Sequence, residues 1–257
     1  MSSLTTRLIL VASIVALLLA SCGGSEDSGA SASPSTREPT SKTQATATTD
    51  TLPEITLPPR PPSDYAGFVA QTTACGGEAP QLATPMTFAS PEDQAIDPGA
   101  VVQATIVTSC GSIDIELDPG IAPDTVNSFV FLARSGYFDG TVSHRVVPGF
   151  VIQAGDPTAT GREGPGYTIK DELPEVGFVY ERGVLAMTNS GPDSTGSQFF
   201  IVLADAPLNP TFSYFGSVVD GFETLDLISQ IPLGPNAFGE VSVPLETLYI
   251  EHVTVNE

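Results

Sequence analysis

Ser143-His-Arg-Val-Val-Pro-Gly-Phe-Val-Ile-Gln-Ala-Gly-Asp156 and Gly183-Val-Leu-Ala-Met-Thr-Asn-Ser-Gly-Pro-Asp-Ser-Thr-Gly-Ser-Gln-Phe-Phe-Ile201 are the two most informative stretches of the chain. Both consist of short strand-like segments punctuated by glycine and proline. Together they set one arginine among glutamines, phenylalanines and an asparagine, with no nucleophile, metal cluster or phosphate loop. Such a set can grip a peptide without breaking a bond in it.

Outward from these stretches, the period-two pattern recurs. Val102 to Thr108 and Ser112 to Leu117 alternate, with Ile113, Ile115 and Leu117 on one face, and the turn at Cys110-Gly111 joins them. Further strands are expected at Ser143 to Val147, Phe150 to Ala154, Gly183 to Thr188, Gln198 to Leu203, Phe212 to Val218 and Leu248 to Val255. Pro123 and Asp124 suit the first turn of a helix, Val126, Phe129, Val130 and Ala133 follow at helical spacing, and Gly136 stops it. A shorter helix carries Phe222, Leu225 and Ile228 on one face. Many short strands with two amphipathic helices predict a mainly β domain, a closed barrel with helices over its open ends.

The two stretches resemble the signature segments of the cyclophilin family of peptidyl-prolyl cis/trans isomerases. The family motif His-Arg-Val-x-Pro-Gly-Phe-x-x-Gln-x-Gly-Asp is met with Arg145, Phe150, Gln153, Gly155 and Asp156 in place. The resemblance implies a closed eight-stranded antiparallel β-barrel capped by two α-helices over residues 99–257. It also implies roles. Arg145 is the catalytic residue, Gln198 orients it, Phe150 floors the proline pocket, Gln153 bonds the substrate backbone, Asn189 pairs with the substrate as an added strand would, and Phe200 is the second aromatic wall. Phe199 points the other way and belongs to the core.

The chain departs from the family pattern at several places. Val151 stands where a methionine is common, and Thr188 and Ser190 replace small apolar residues flanking Asn189. Leu208 matches the family leucine and Phe212 falls where a histidine is usual, while the chain contains no tryptophan. Gly161, Gly164 and Gly166 resemble the glycine-rich loop beside the family's pocket.

Prolyl isomerisation suits this inventory because no bond is made and no proton must move. Its barrier is lost amide resonance, about 18 to 20 kcal/mol. A dry pocket for the ring and a donor aimed at the amide lower it by favouring the transition state. An always-charged guanidinium with a rigid fork is a suitable donor. No cofactor or metal is called for. The alternative function is a proline-peptide binding module or scaffold with little turnover.

The remainder of the chain speaks of location. Leu8 to Ala20 is an apolar run of about thirteen residues after Arg7, short of the roughly 20 that span a bilayer. With Leu19-Ala20-Ser21-Cys22 following, residues 1–21 read as a bacterial lipoprotein signal and Cys22 as the acylated new N-terminus. Two or more acyl chains anchor stably where one does not. Residues 22–62 form a Ser/Thr/Pro/Ala-rich disordered tether, about 35 Å in r.m.s. span. Residues 63–98 read as an irregular extension packed on the barrel.

The expected address is therefore the extracytoplasmic face of a bacterial cell membrane, with proline-containing peptides and unfolded exported proteins as partners. In that oxidising compartment Cys75 and Cys110 are the two thiols left, and a disulfide between them is expected. Loss of the signal removes one base, so 30 acids against 9 − 1 = 8 bases leave −22 on the mature chain. That charge repels nucleic acid. A monomer is expected.

Overall fold

The computed structural model describes residues 60–256. The export signal, Cys22 and the tether up to residue 59 lie outside them. Among the described residues no helix is long and apolar enough to cross a membrane.

The packed extension starts at Pro61, two residues before the expected boundary at 63, because Pro61 already lies against Gly234: a Cβ there would stand 2.6 Å from the proline Cγ. Helix α1 (Tyr65–Val69) is started by Asp64, whose carboxylate accepts from Gly67 N, and it buries Phe68. Tyr65 Oη donates to Gly140 O and accepts from Ala83 N, each at 2.8 Å. Thr73 bridges to Thr247, and a disulfide joins Cys75 to Cys110. Farther on, Phe88 meets Phe131 edge-on with centroids 4.9 Å apart, so the extension completes the core by isolated anchors.

The sheet then assembles from β1 (Val102–Thr108), β2 (Gly111–Leu117), β3 (Thr141–Val142), β4 (Arg145–Val147), β5 (Val151–Ala154), β6 (Val184–Met187), β7 (Phe199–Val202), β8 (Tyr214–Asp220) and, after two short strands, β11 (Tyr249–Asn256). Alternation dictates the inner face. Ala104, Ile106, Ile113, Ile115 and Leu117 are buried, and their neighbours are not. Gly111, with φ +131°, allows the tight β1–β2 turn, while Thr108 Oγ1 donates to Gly111 O.

Helix α2 (Pro123–Arg134) packs Val126, Phe129, Val130 and Ala133 into that core. Glu172 caps its start by accepting from Asp124 N and Thr125 N. Helix α3 (Phe222–Ile228) buries Leu225 and Ile228.

The architecture departs from the closed eight-stranded barrel. Nine strands pair in the order β3-β11-β1-β2-β8-β6-β7-β5-β4, every named pair antiparallel, and the ladder does not close. The expected strand at Ser143 to Val147 is the reason. It begins two residues earlier and breaks at Ser143-His144 into β3 and β4, one at each end of the order. Ser143 turns aside to other partners, its N–H to Leu248 O and its Oγ to Gln153 O. The two α-helices expected over residues 99–257 are α2 and α3, and the third among the described residues, α1, lies in the extension that was expected to be irregular. A separate hairpin of β9 (Leu233–Pro235) and β10 (Val241–Pro244) was not foreseen.

Candidate functional site

Register builds the site. Arg145 on β4 lies opposite Gln153 on β5, and Gln153 lies opposite Phe200 on β7. Opposed residues of neighbouring strands share a face, so these three side chains form a row across three strands. Their neighbours Val146, Ile152, Phe199 and Ile201 face the main core, where Phe199 meets Phe129 at 5.6 Å. Phe200 instead joins a second apolar cluster with Val151, Phe150, Leu208 and Phe212.

A cavity of about 230 Å³ opens over that row. Arg145, Phe150, Val151, Gln153, Thr188, Asn189, Phe200, Leu208 and Phe212 all line it. Its aromatic wall is fixed by geometry: Phe200 and Phe212 meet edge-on at 5.5 Å, and the buried Tyr180 lies behind both. Tyr180 Oη donates to Phe212 O at 2.7 Å and accepts from Phe212 N at 3.3 Å. Tyr180 is a residue that sequence reasoning missed. Its only signal was a tyrosine in an otherwise irregular stretch.

Asn189 spends its side chain on the scaffold, Nδ2 donating to Thr211 O at 2.8 Å. Thr188 N donates to Gln198 O at 2.9 Å, which ties the start of the asparagine segment to β7. Ser190 and Gln198 lie outside this cavity and line a larger, more polar one of about 560 Å³ with Gly161, Gly164, Gly166 and Tyr167. Gln153, Thr188 and Asn189 border both, so the two are continuous. Asp156 shapes the glycine loop from within. Fully buried, it accepts from Thr158, Thr160, Arg162 and Glu163. Burial alone would raise its pKa, but those bonds hold the carboxyl below its ordinary value.

The expected partner of the arginine needs correction. Gln198 is not hydrogen-bonded to Arg145: its Oε1 accepts from Gln153 Nε2 and its Nε2 donates to Glu163 O, both at 3.0 Å. Glu240 takes that place. Arg145 Nε donates to Glu240 Oε2 at 2.8 Å and Nη2 to Oε1 at 2.7 Å, while the guanidinium carbon stands 5.9 Å from the centroid of the Phe150 ring. Glu240 is held below the ordinary carboxylate range chiefly by the Arg145 hydrogen bonds. One edge of the fork is thus occupied, and of its five N–H groups three remain for a substrate.

His144, beside the arginine, is pushed down to about 4 by burial, with nearby Asp156 opposing and Arg145 reinforcing the shift. It is neutral at pH 7. Among the described residues no cluster of His, Cys, Asp and Glu is arranged to hold a metal ion.

Chemically, the site offers a slot walled by Phe150, Phe200 and Phe212, a cation held at its rim and the Thr188–Asn189 segment along one side.

Residues 103–255 match the profile of the cyclophilin type peptidyl-prolyl cis-trans isomerase/CLD family. The chain is 43% identical over 158 residues to peptidyl-prolyl cis-trans isomerase-like 2 of Cryptococcus neoformans, covering 59% of this chain but only 27% of that relative's length. It is 38% identical over 159 residues to peptidyl-prolyl cis-trans isomerase CYP18-1 of Arabidopsis thaliana, covering 60% of this chain and 96% of the relative. Among solved structures, a cyclophilin type peptidyl-prolyl cis-trans isomerase of Cryptosporidium parvum superposes with a TM-score of 0.57 at 32% identity, covering 62% of this chain and 99% of that one. The same protein solved in the presence of the dipeptide Ala-Pro gives a TM-score of 0.56 at 33% identity, covering 60% and 99%.

Proposed function

The chain belongs to the cyclophilin-type peptidyl-prolyl cis-trans isomerase family, and from that we propose that it accelerates cis/trans isomerisation at X-Pro bonds with Arg145 as the catalytic residue. The observation that carries the assignment is the row Arg145, Gln153, Phe200 beneath a cavity of about 230 Å³. Proline enters the slot between Phe150, Phe200 and Phe212. The free N–H groups of the arginine bond the carbonyl of the proline residue and lie near the imide nitrogen, whose lone pair localises as resonance fades. The backbone at Asn189 carries the residues before proline.

Its clients are exported proteins, and it works from the outer face of a bacterial membrane through acylated Cys22. The sequence of residues 1–22 supports that location, and so does the Cys75–Cys110 disulfide, a bond that persists in oxidising compartments. In unfolded chains about 10 to 30% of X-Pro bonds are cis and exchange over tens to hundreds of seconds, a delay worth removing.

The test is isomerisation of a proline tetrapeptide by the mature protein and by Arg145→Ala. The variant should lose most of the rate while keeping its thermal transition. Equal rates would overturn the role of Arg145.

A further inference from the structure

The groove continues past Arg145. A further cavity of about 520 Å³ shares Arg145 and Gln153 with the proline slot. Its outer walls come from outside both motifs: Pro62, Ser63 and Phe68 of the extension, and Asn236, Phe238 and Val243 of the β9–β10 hairpin. The extension residues precede the family match, which starts at residue 103, so this wall is a property of the present chain.

Phe238 gives the cavity its chemistry. Its ring is 91% exposed, the kind of apolar surface that marks a contact site when it is held in place. Here it is held. Asn236 Oδ1 accepts from Phe238 N at 2.9 Å and Glu240 N at 3.0 Å, Asn236 N donates to Glu240 O at 2.7 Å, and Glu240 is bonded to Arg145. The loop backbone and the catalytic cation therefore form one fixed unit, from which the Phe238 side chain projects. Arg162 and Glu163, of opposite charge, also line the cavity, so neither sign of charge is favoured.

We propose that this cavity is a second substrate subsite that takes the side chain following proline and favours a large apolar or aromatic one. The polarity rests on the role assigned above to Arg145. If its free N–H groups bond the carbonyl of the proline residue, the chain leaving that carbonyl lies on the arginine side, while the preceding residues run along Asn189 into the cavity of about 560 Å³, which borders this one at Gln153 and Gly161 to Glu163 but does not include Arg145.

The test compares two amide-capped peptides, Ala-Ala-Pro-Phe and Ala-Ala-Pro-Ala, by NMR exchange for kcat/KM and by shift titration for affinity. The native protein should favour the phenylalanine peptide by about tenfold in both, since burying much of an aromatic side chain is worth that factor or more. Phe238→Ala, and Ser63→Trp, which fills the cavity from the extension side, should each bring the ratio below about two. A native ratio near one, or a ratio that survives both variants, overturns the subsite. Arg145→Ala separates the two claims. If exchange persists in that variant the catalytic assignment fails, and the affinity ratio still decides the subsite.

Discussion

Arg145 and Glu240 lie 95 residues apart in the chain and meet as a two-pronged ion pair, Nε to Oε2 at 2.8 Å and Nη2 to Oε1 at 2.7 Å. The pair spends one edge of the fork to fix the other. Glu240→Gln should lower kcat by about three- to tenfold with KM little changed, because a freed arginine must be ordered again in each transition state. Glu240→Asp should recover part of the loss. Unchanged kcat in Glu240→Gln would show that Phe150 and Gln153 hold the arginine unaided.

The same pair has a pH signature. Glu240 has its folded-state pKa lowered below 4.5, so the stabilisation is present above the unfolded value and lost as pH falls through the folded one. Isomerase activity should therefore hold down through pH 4.5 and fall only below it, by about the same three- to tenfold factor as in Glu240→Gln. A decline beginning near pH 6 would point to another group.

His144 is that other group for stability. Its pKa is lowered from 6.5 to about 4 in the folded state, so between these values the unfolded chain binds a proton that the folded one refuses. Stability is full above pH 6.5 and falls by about 3 kcal/mol on the way down to pH 4. Its buried Nδ1 has no hydrogen-bond partner to offset the cost. Urea midpoints across pH 4 to 7 should show this slope in the native protein and a flatter one in His144→Gln.

The Cys75–Cys110 bridge spans a sequence separation of 35. In the chain-entropy account its removal costs about 3 to 4 kcal/mol. Cys75→Ser/Cys110→Ser should show that loss in urea unfolding and a faster proteolytic cut within residues 70–90. A loss under about 1 kcal/mol would mean that Tyr65, Phe68 and Phe88 fasten the extension alone.

Tyr180→Phe removes one oxygen that serves both Phe212 N and Phe212 O. Leaving those backbone groups to find water should cost about 1 to 2 kcal/mol of stability. It should also raise KM a few-fold, as the Phe212 wall loosens, with kcat held. A kcat effect without a KM effect would contradict a wall role.

Much of this was legible in the residue order, and the exceptions share a cause. Strands β1 and β2 and helix α2 follow from period two and period 3.6 in continuous runs, and the proline slot, apart from Leu208 and Phe212, follows from two contiguous motifs. Glu240 was illegible because a carboxylate in a chain with 30 acids carries no mark of which cation it will meet. The extension hid for a related reason: Tyr65, Phe68 and Phe88 anchor singly, and no period announces single anchors. The break at Ser143-His144 depends on what Ser143 bonds across the sheet, which local sequence does not contain.

Strand β1 sits between β2, its hairpin neighbour, and β11, whose Asn256 pairs back to Gln103. During synthesis one side of β1 is satisfied within seconds, at about 5 to 20 residues per second, while the other must wait for nearly the whole domain to emerge. Throughout that interval the β1–β2 hairpin presents an open edge and an uncovered apolar face. The domain thus cannot close its core until β11 has emerged, and the interval before that is an aggregation-prone episode in which a holding chaperone would shield the open edge.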